Sequence, residues 1–211
     1  MNTQGIVKMM QEVSNAAIDA KEELCRLDGF VGDGDHGFTV ERGFKAVREM
    51  LETETFGSPK AVLDAVGEEL ADTMGGAIGL IIGGLFTGGA EAIEDKDTFD
   101  VEDMRTFLAA GLEEIKMVGG ATEGDCTLID ALSPASSAFA DAAAAGQDLS
   151  ACMEKAAAAA DGGAKATADM VAKKGRAKFL REKSLGYIDA GSVTMATIIR
   201  AMSEYVKNQK A

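Results

Sequence analysis

Apolar residues recur at every third or fourth position along almost the whole chain, and no run alternates with period two. The first pattern lays apolar side chains along one stripe of a helix, whereas alternation would mark a half-buried strand. Ile6, Met9, Met10, Val13, Ala17, Ala20 and Leu24 define a first helix, and Val40, Phe44, Val47 and Leu51 a second. Ser58 then Pro59 predicts an N-cap with proline at the first helical position, and Val62, Val66 and Leu70 follow at helical spacing. A glycine-rich apolar stretch makes the fourth helix. Asp100 is placed to cap the fifth, whose stripe is Val101, Met104, Leu108, Leu112, Ile115 and Val118. The sixth begins near Thr127, with Leu128, Leu132, Ala135 and Phe139 inward and a kink expected at Pro134. Asp148 caps an alanine-rich seventh helix over Leu149–Ala172, and the eighth, from Ser192 to Lys207, carries Met195, Ile199, Met202 and Val206. Aromatics are only 5% of the 211 residues and Trp is absent, so the core is built of aliphatic side chains and Met, which suits helices. The expectation is an all-α fold of eight helices in a single domain spanning residues 1–211.

Net charge narrows the function. Thirty-five acids against 21 bases give −14, the opposite of a nucleic-acid-binding surface. Three cysteines, Cys25, Cys126 and Cys152, show no CxxC spacing, and the first residues lack a basic region followed by an apolar run. A reduced, cytoplasmic setting is expected. Residues 73–90 carry no charge and reach the length of a membrane span. Seven of them are Gly, however, the flanks are Asp72 and Glu91, and no basic anchor follows. A buried helix whose glycines admit another backbone or a ligand is the expectation, with no membrane partner.

Three polar connections are long for a compact helical domain: Asp28–Gly37, Gly119–Cys126 and Lys173–Gly191. In the first, Gly32 to Gly37 matches the spacing of the dinucleotide fingerprint, but no strand precedes it and Asp33 and Asp35 would face a pyrophosphate. Counting from Asp33 as a calcium-loop start, the twelfth position is Phe44 where Glu is needed. What remains is a tight loop with three carboxylates and four glycines. Hard oxygen ligands on a flexible backbone suit Mg²⁺ or Ca²⁺, while the plainer alternative is a solvated acidic turn capping the next helix. A phosphate ligand in so acidic a chain needs cations and backbone N–H donors. Gly75-Gly76-Ala77 and Lys173-Lys174-Gly175-Arg176 offer both.

The order of these motifs resembles the nucleotide-binding L subunit, or L domain, of the dihydroxyacetone kinase family. The resemblance is carried by Gly32-Asp-Gly-Asp-His-Gly37 with Arg42-Gly-Phe44, by Gly75-Gly-Ala77 with Gly79, and by Gly124-Asp-Cys-Thr127 with Asp130. Lys174-Gly-Arg-Ala177, Glu182-Lys-Ser184 with Gly186, and Asp189-Ala-Gly191 complete it over nearly the whole chain. It implies an antiparallel eight-helix barrel with a nucleotide, ADP or ATP, across one end. Asp28, Asp33 and Asp35 would bind two Mg²⁺ ions. His36, Gly37, Phe38 and Thr39 would line the nucleotide, with Gly76, Ala77 and Ile78, Gly119, Leu128, Arg176, and Asp189, Ala190 and Gly191. The family usually has Ser at Ile78, Asn at Thr39 and Pro at Ala190. By resemblance, the activity is phosphoryl transfer from nucleotide to a small ketose held by a separate K-type subunit. A phosphocarrier M-type subunit of the phosphotransferase system would recharge bound ADP, and the chain would form a homodimer. An ATP-dependent L-type subunit for a four-carbon ketose such as erythrulose, and a non-catalytic ADP-sensing protein, are the alternatives. The L-type domain of fatty-acid kinases would continue into further domains.

Overall fold

The computed structural model describes residues 1–209. Among them are nine α-helices: α1 (Thr3–Asp19), α2 (Lys21–Val31), α3 (His36–Thr53), α4 (Pro59–Met74), α5 (Gly76–Ala92), α6 (Val101–Gly119), α7 (Ile129–Ala144), α8 (Leu149–Ala166) and α9 (Ala190–Asn208). Short 3₁₀ segments cover Thr167–Asp169 and Ala177–Ser184, and no strand is present among the described residues. The extra helix comes from the first predicted one, which is interrupted at Ala20. That residue keeps helical dihedrals, with φ −73° and ψ −7°, and Leu24 N–H still donates to its carbonyl at 3.0 Å, so the chain bends rather than stops.

From α3 onward each helix packs on its successor, and α1 lies between α3 and α9. The ring is thereby closed. With α1 and α2 as one bent staple it has eight staves, the barrel implied by the resemblance. Its interior holds Phe44, Phe86, Phe107 and Phe139 from four different helices, all fully buried, together with Leu, Ile and Met side chains. The rings of Phe86 and Phe107 meet at 5.9 Å between centroids, a tilted pair of the kind that adds about 0.5–1.5 kcal/mol beyond area burial.

Local signals set most helix ends. Ser58 Oγ accepts from Ala61 N–H at 3.2 Å with Pro59 in the first turn. Asp100 accepts from Glu102 and Asp103 N–H while Asp103 returns a bond to the Asp100 N–H at 2.9 Å, a full capping box. Asp148 accepts from Ala151 N–H at 3.1 Å. α7 continues through Pro134. α8 ends at Ala166, six residues short of the predicted end, where the backbone tightens into the 3₁₀ turn.

The glycine-rich stretch is α5, packed between α4 and α6. A Cβ on Gly67 would lie 2.7 Å from the Gly83 carbonyl oxygen, and one on Gly83 2.6 Å from that of Gly67. The two backbones touch, which explains the small residues without lipid. No helix among the described residues is long and apolar enough to cross a membrane.

Because the helices alternate in direction, the N-termini of α3, α5, α7 and α9 gather at one end of the barrel with the C-termini of α2, α4, α6 and α8. Each N-terminus carries a partial positive charge, and that of α5 has no side-chain cap for its first N–H groups. A cavity of about 630 Å³ opens among them.

Candidate functional site

The acidic loop is shorter than the sequence suggests. Asp28 to Val31 form the last turn of α2 and His36 opens α3, leaving only residues 32–35 as a link. Asp28 is therefore held on a helix, half-buried, while Asp33 and Asp35 are exposed on the link. One oxygen from each of the three carboxylates lies within 4.8 Å of the others. Gly32 makes this possible, since a Cβ there would stand 2.2 Å from Asp28 Oδ1. Three converging carboxylate oxygens in a space that only glycine leaves open fit a hard divalent cation such as Mg²⁺. Arg176 reaches two of the same carboxylates, pairing with Asp33 and lying 3.6 Å from Asp35.

His36 is half-buried in the first turn of α3. Burial pushes its pKa down, opposed by the carboxylate of Asp28. Its Nε2 is 2.8 Å from Thr194 Oγ1, whose own proton goes to the Ala190 carbonyl at 3.1 Å. With the Thr194 proton committed to Ala190, Nε2–H is the donor to Thr194, and the downward shift favours the neutral ring, in which Nδ1 is an acceptor.

Asp189 caps α9, accepting from Ser192 N–H at 2.6 Å, and its own N–H donates to Thr167 Oγ1 at 3.0 Å. Burial raises its carboxyl to about 7, with the carboxylates of Asp130 and Asp28 adding to the rise. Asp130 organises the neighbouring loop by accepting from Gly124 N–H at 2.5 Å and Thr127 N–H at 2.8 Å. Lys173 ties that loop to the following segment through Asp125 Oδ1 at 3.0 Å and the Gly124 carbonyl at 3.1 Å. Cys126 lines the cavity with φ +60°, and burial drives its thiol up to about 12, so it stays protonated.

Of the residues singled out from sequence, the cavity is lined by Asp28, Asp33, Asp35, His36, Thr39, Gly76, Ala77, Ile78, Gly119, Leu128, Arg176, Asp189, Ala190 and Gly191. Gly37 and Phe38 are not among its walls. Gly37 faces α2, where a Cβ would fall 2.1 Å from the Lys21 carbonyl oxygen. Phe38 is 56% exposed with Lys21 Nζ 4.4 Å from its ring centre. One turn of helix has four faces, so a contiguous motif cannot all look one way. The sequence did not mark Arg42 or Thr127 as wall residues, whereas Lys174, offered there as a source of positive charge, does line the cavity. Arg42 had a usable signal, since His36, Thr39 and Arg42 are three apart and share a face of α3.

Residues 30–204 match the model of the DAK2 domain. The chain belongs to the DAK2 domain family. Among relatives of this DAK2 chain, the ADP-binding subunit of the PTS-dependent dihydroxyacetone kinase of Lactococcus lactis is 34% identical over 88% of this chain and 88% of its own length. The L-erythrulose kinase of Pectobacterium atrosepticum is 36% identical over 86% of this chain but only 31% of its own length. This DAK2 chain also superposes on the dihydroxyacetone kinase of C. freundii solved with AMP-PNP and Mg²⁺. The TM-score is 0.71 and the identity 29%, over 94% of this chain and 33% of that one. The chain spans about a third of the length of several curated relatives it matches, for instance 35% of the L-erythrulose 1-kinase of Mycolicibacterium smegmatis.

Proposed function

We propose that this chain is the nucleotide-binding subunit of a ketose kinase, holding Mg²⁺–ADP or Mg²⁺–ATP and passing a phosphoryl group to the hydroxyl of a small ketose such as dihydroxyacetone. The observation that carries it is the meeting of three carboxylates with four helix N-termini around one 630 Å³ cavity. Mg²⁺ bound by Asp28, Asp33 and Asp35 would neutralise phosphate charge as it builds up in transfer. The residues of the chain orient the nucleotide: the uncapped N-terminus of α5 offers N–H groups to phosphate oxygens, and Arg176 and Lys174 add positive charge. Val31, Ile81, Ala121, Leu128 and Ile129 give the cavity an apolar wall suited to a base. His36, Thr39, Ile78, Gly119 and the Asp189–Gly191 turn complete it, Ile78 presenting a hydrocarbon where the family usually has a hydroxyl.

The ketose belongs on a separate K-type subunit. Supporting this, the large apolar side chains most exposed among the described residues sit on the cavity end: the C-termini of α2 and α6, the first turn of α3, the second turn of α5, and residues 179–187. Exposed apolar surface concentrated at one mouth marks a docking face. Two Mg²⁺ ions, an M-type phosphocarrier and a homodimer are proposed from the family resemblance alone. The erythrulose kinases among the relatives favour a second reading, an ATP-dependent subunit for a four-carbon ketose. Native mass spectrometry separates the two readings: retained ADP with two Mg²⁺ supports the phosphocarrier type, and an empty chain that turns over ATP with a K-type partner supports the other. A chain that binds neither nucleotide with Mg²⁺ overturns both.

A further inference from the structure

Arg42 lies one turn beyond His36 on α3 and reaches across to the end of α4. Its Nε donates to the Thr73 carbonyl at 2.8 Å and its Nη2 to the Met74 carbonyl. These are the last two carbonyls of α4, which a helix leaves without partners of its own. A single residue, Gly75, then separates α4 from α5, with φ +72° and ψ 167°, and Gly76 follows at φ +62°. The link is intrinsically loose, because glycine has access to both halves of backbone space. No heavy atom comes within 4 Å of where a Gly76 Cβ would be, and the nearest to that of Gly75 is Arg42 Nη2 at 3.6 Å. α5 begins there without a side-chain cap.

We propose that Arg42 is a positioning residue: by pinning the two final carbonyls of α4 it fixes the Gly75–Gly76 turn, and so aims the first N–H groups of α5 into the cavity for the nucleotide's phosphates. This rests on the nucleotide reading of the cavity. The guanidinium fork suits the task because two N–H groups leave it in a fixed plane and meet two successive carbonyls. Lys60 provides the comparison within the same fold. Its Nζ donates to the carbonyls of Glu91 and Ile93 at 3.1 Å each, capping the opposite end of α5 away from the cavity.

The test is calorimetry of Mg²⁺–ADP binding to wild type, Arg42→Ala, Arg42→Gln and Lys60→Ala, at about 0.05 and about 0.5 M KCl, with amide NMR spectra of residues 75–78. Arg42→Ala weakens binding about tenfold at both salt concentrations, a loss of one hydrogen-bonded contact's worth. Arg42→Gln, which keeps a single donor, loses an intermediate amount and serves in its place should the alanine variant fold poorly. The ligand-free variants show broadened Gly75 and Gly76 signals, and Lys60→Ala leaves affinity as it is. A defect that vanishes at high salt would make Arg42 a direct charge contact and overturn the positioning role. Wild-type amides at 76–78 that shift with Mg²⁺–ADP, beside Arg42 variants of unchanged affinity, overturn this inference alone. Wild-type amides that do not shift overturn the phosphate reading and the inference with it.

Discussion

Asp33 and Asp35 are exposed and contribute nothing to the core, so their charge is removable without cost to the fold. Asp33→Asn or Asp35→Asn is expected to abolish Mg²⁺-dependent ADP binding in calorimetry while the helical circular dichroism stays as in wild type. Wild-type binding by both variants would dissolve the metal triad. Arg176 gives a prediction of opposite signs. Its guanidinium pairs with two of the three triad carboxylates, so it competes with a cation for them. Exposed ion pairs are worth under about 1 kcal/mol. Arg176→Ala is therefore expected to tighten Mg²⁺ binding measured without nucleotide, by up to about fivefold. ADP binding in the presence of Mg²⁺ is expected to weaken by about tenfold or more, as a charge-assisted hydrogen bond to phosphate is lost. A tightening of both would leave Arg176 a plain competitor of the metal. The convergence of the three carboxylates was legible in the sequence because all three fall within eight residues. The partners of Arg176 were not, since an ion pair closing over more than 140 positions leaves no local mark.

Helix ends divide into those written locally and those imposed from elsewhere. The caps at Ser58, Asp100 and Asp148 are legible because a side-chain oxygen reaches an N–H two or three residues on. The bend at Ala20 and the helical setting of Asp28 are not: the apolar stripe of the first predicted helix runs unbroken through Ala20 and stops at Leu24, short of Asp28, and α2 packs on α3, a contact the stripe does not announce. Asp189 caps α9 from a half-buried position, and desolvation holds its carboxyl at about 7 instead of 3.8. Folding therefore raises its proton affinity. Its contribution to stability is complete below about pH 4, where the unfolded carboxyl is also protonated, and is lost as pH rises towards 7. Asn caps as well as Asp but does not titrate. In EDTA and without nucleotide, Asp189→Asn is expected to gain in melting temperature relative to wild type across that window, with the difference levelling off above pH 7. A difference that stays constant with pH would mean that Asp189 titrates normally in the folded chain.

At the scale of the whole barrel, residues remote in sequence make one wall. Asp28 ends α2, Ile78 opens α5, Leu128 precedes α7 and Asp189 caps α9, and they share a cavity because α1 closes the ring on α9. Helical periodicity announced the staves, but ring closure depends on which faces meet, and periodicity is silent on that. A ligand seated there touches four helices at once and so binds only the folded chain. Such a ligand stabilises by mass action, about 2.7 kcal/mol at a hundred times its dissociation constant. For a chain of this length each kcal/mol moves the unfolding midpoint by about 2–4 °C. ADP with Mg²⁺ is expected to raise the melting temperature by about 5–11 °C, read by differential scanning calorimetry. ADP with EDTA should give far less, because without a cation the phosphates meet a chain of net charge −14 and three bare carboxylates at the cavity mouth. Equal shifts with and without EDTA would show that the helix N-termini and Arg176 hold the nucleotide unaided, and the carboxylates would then need another purpose.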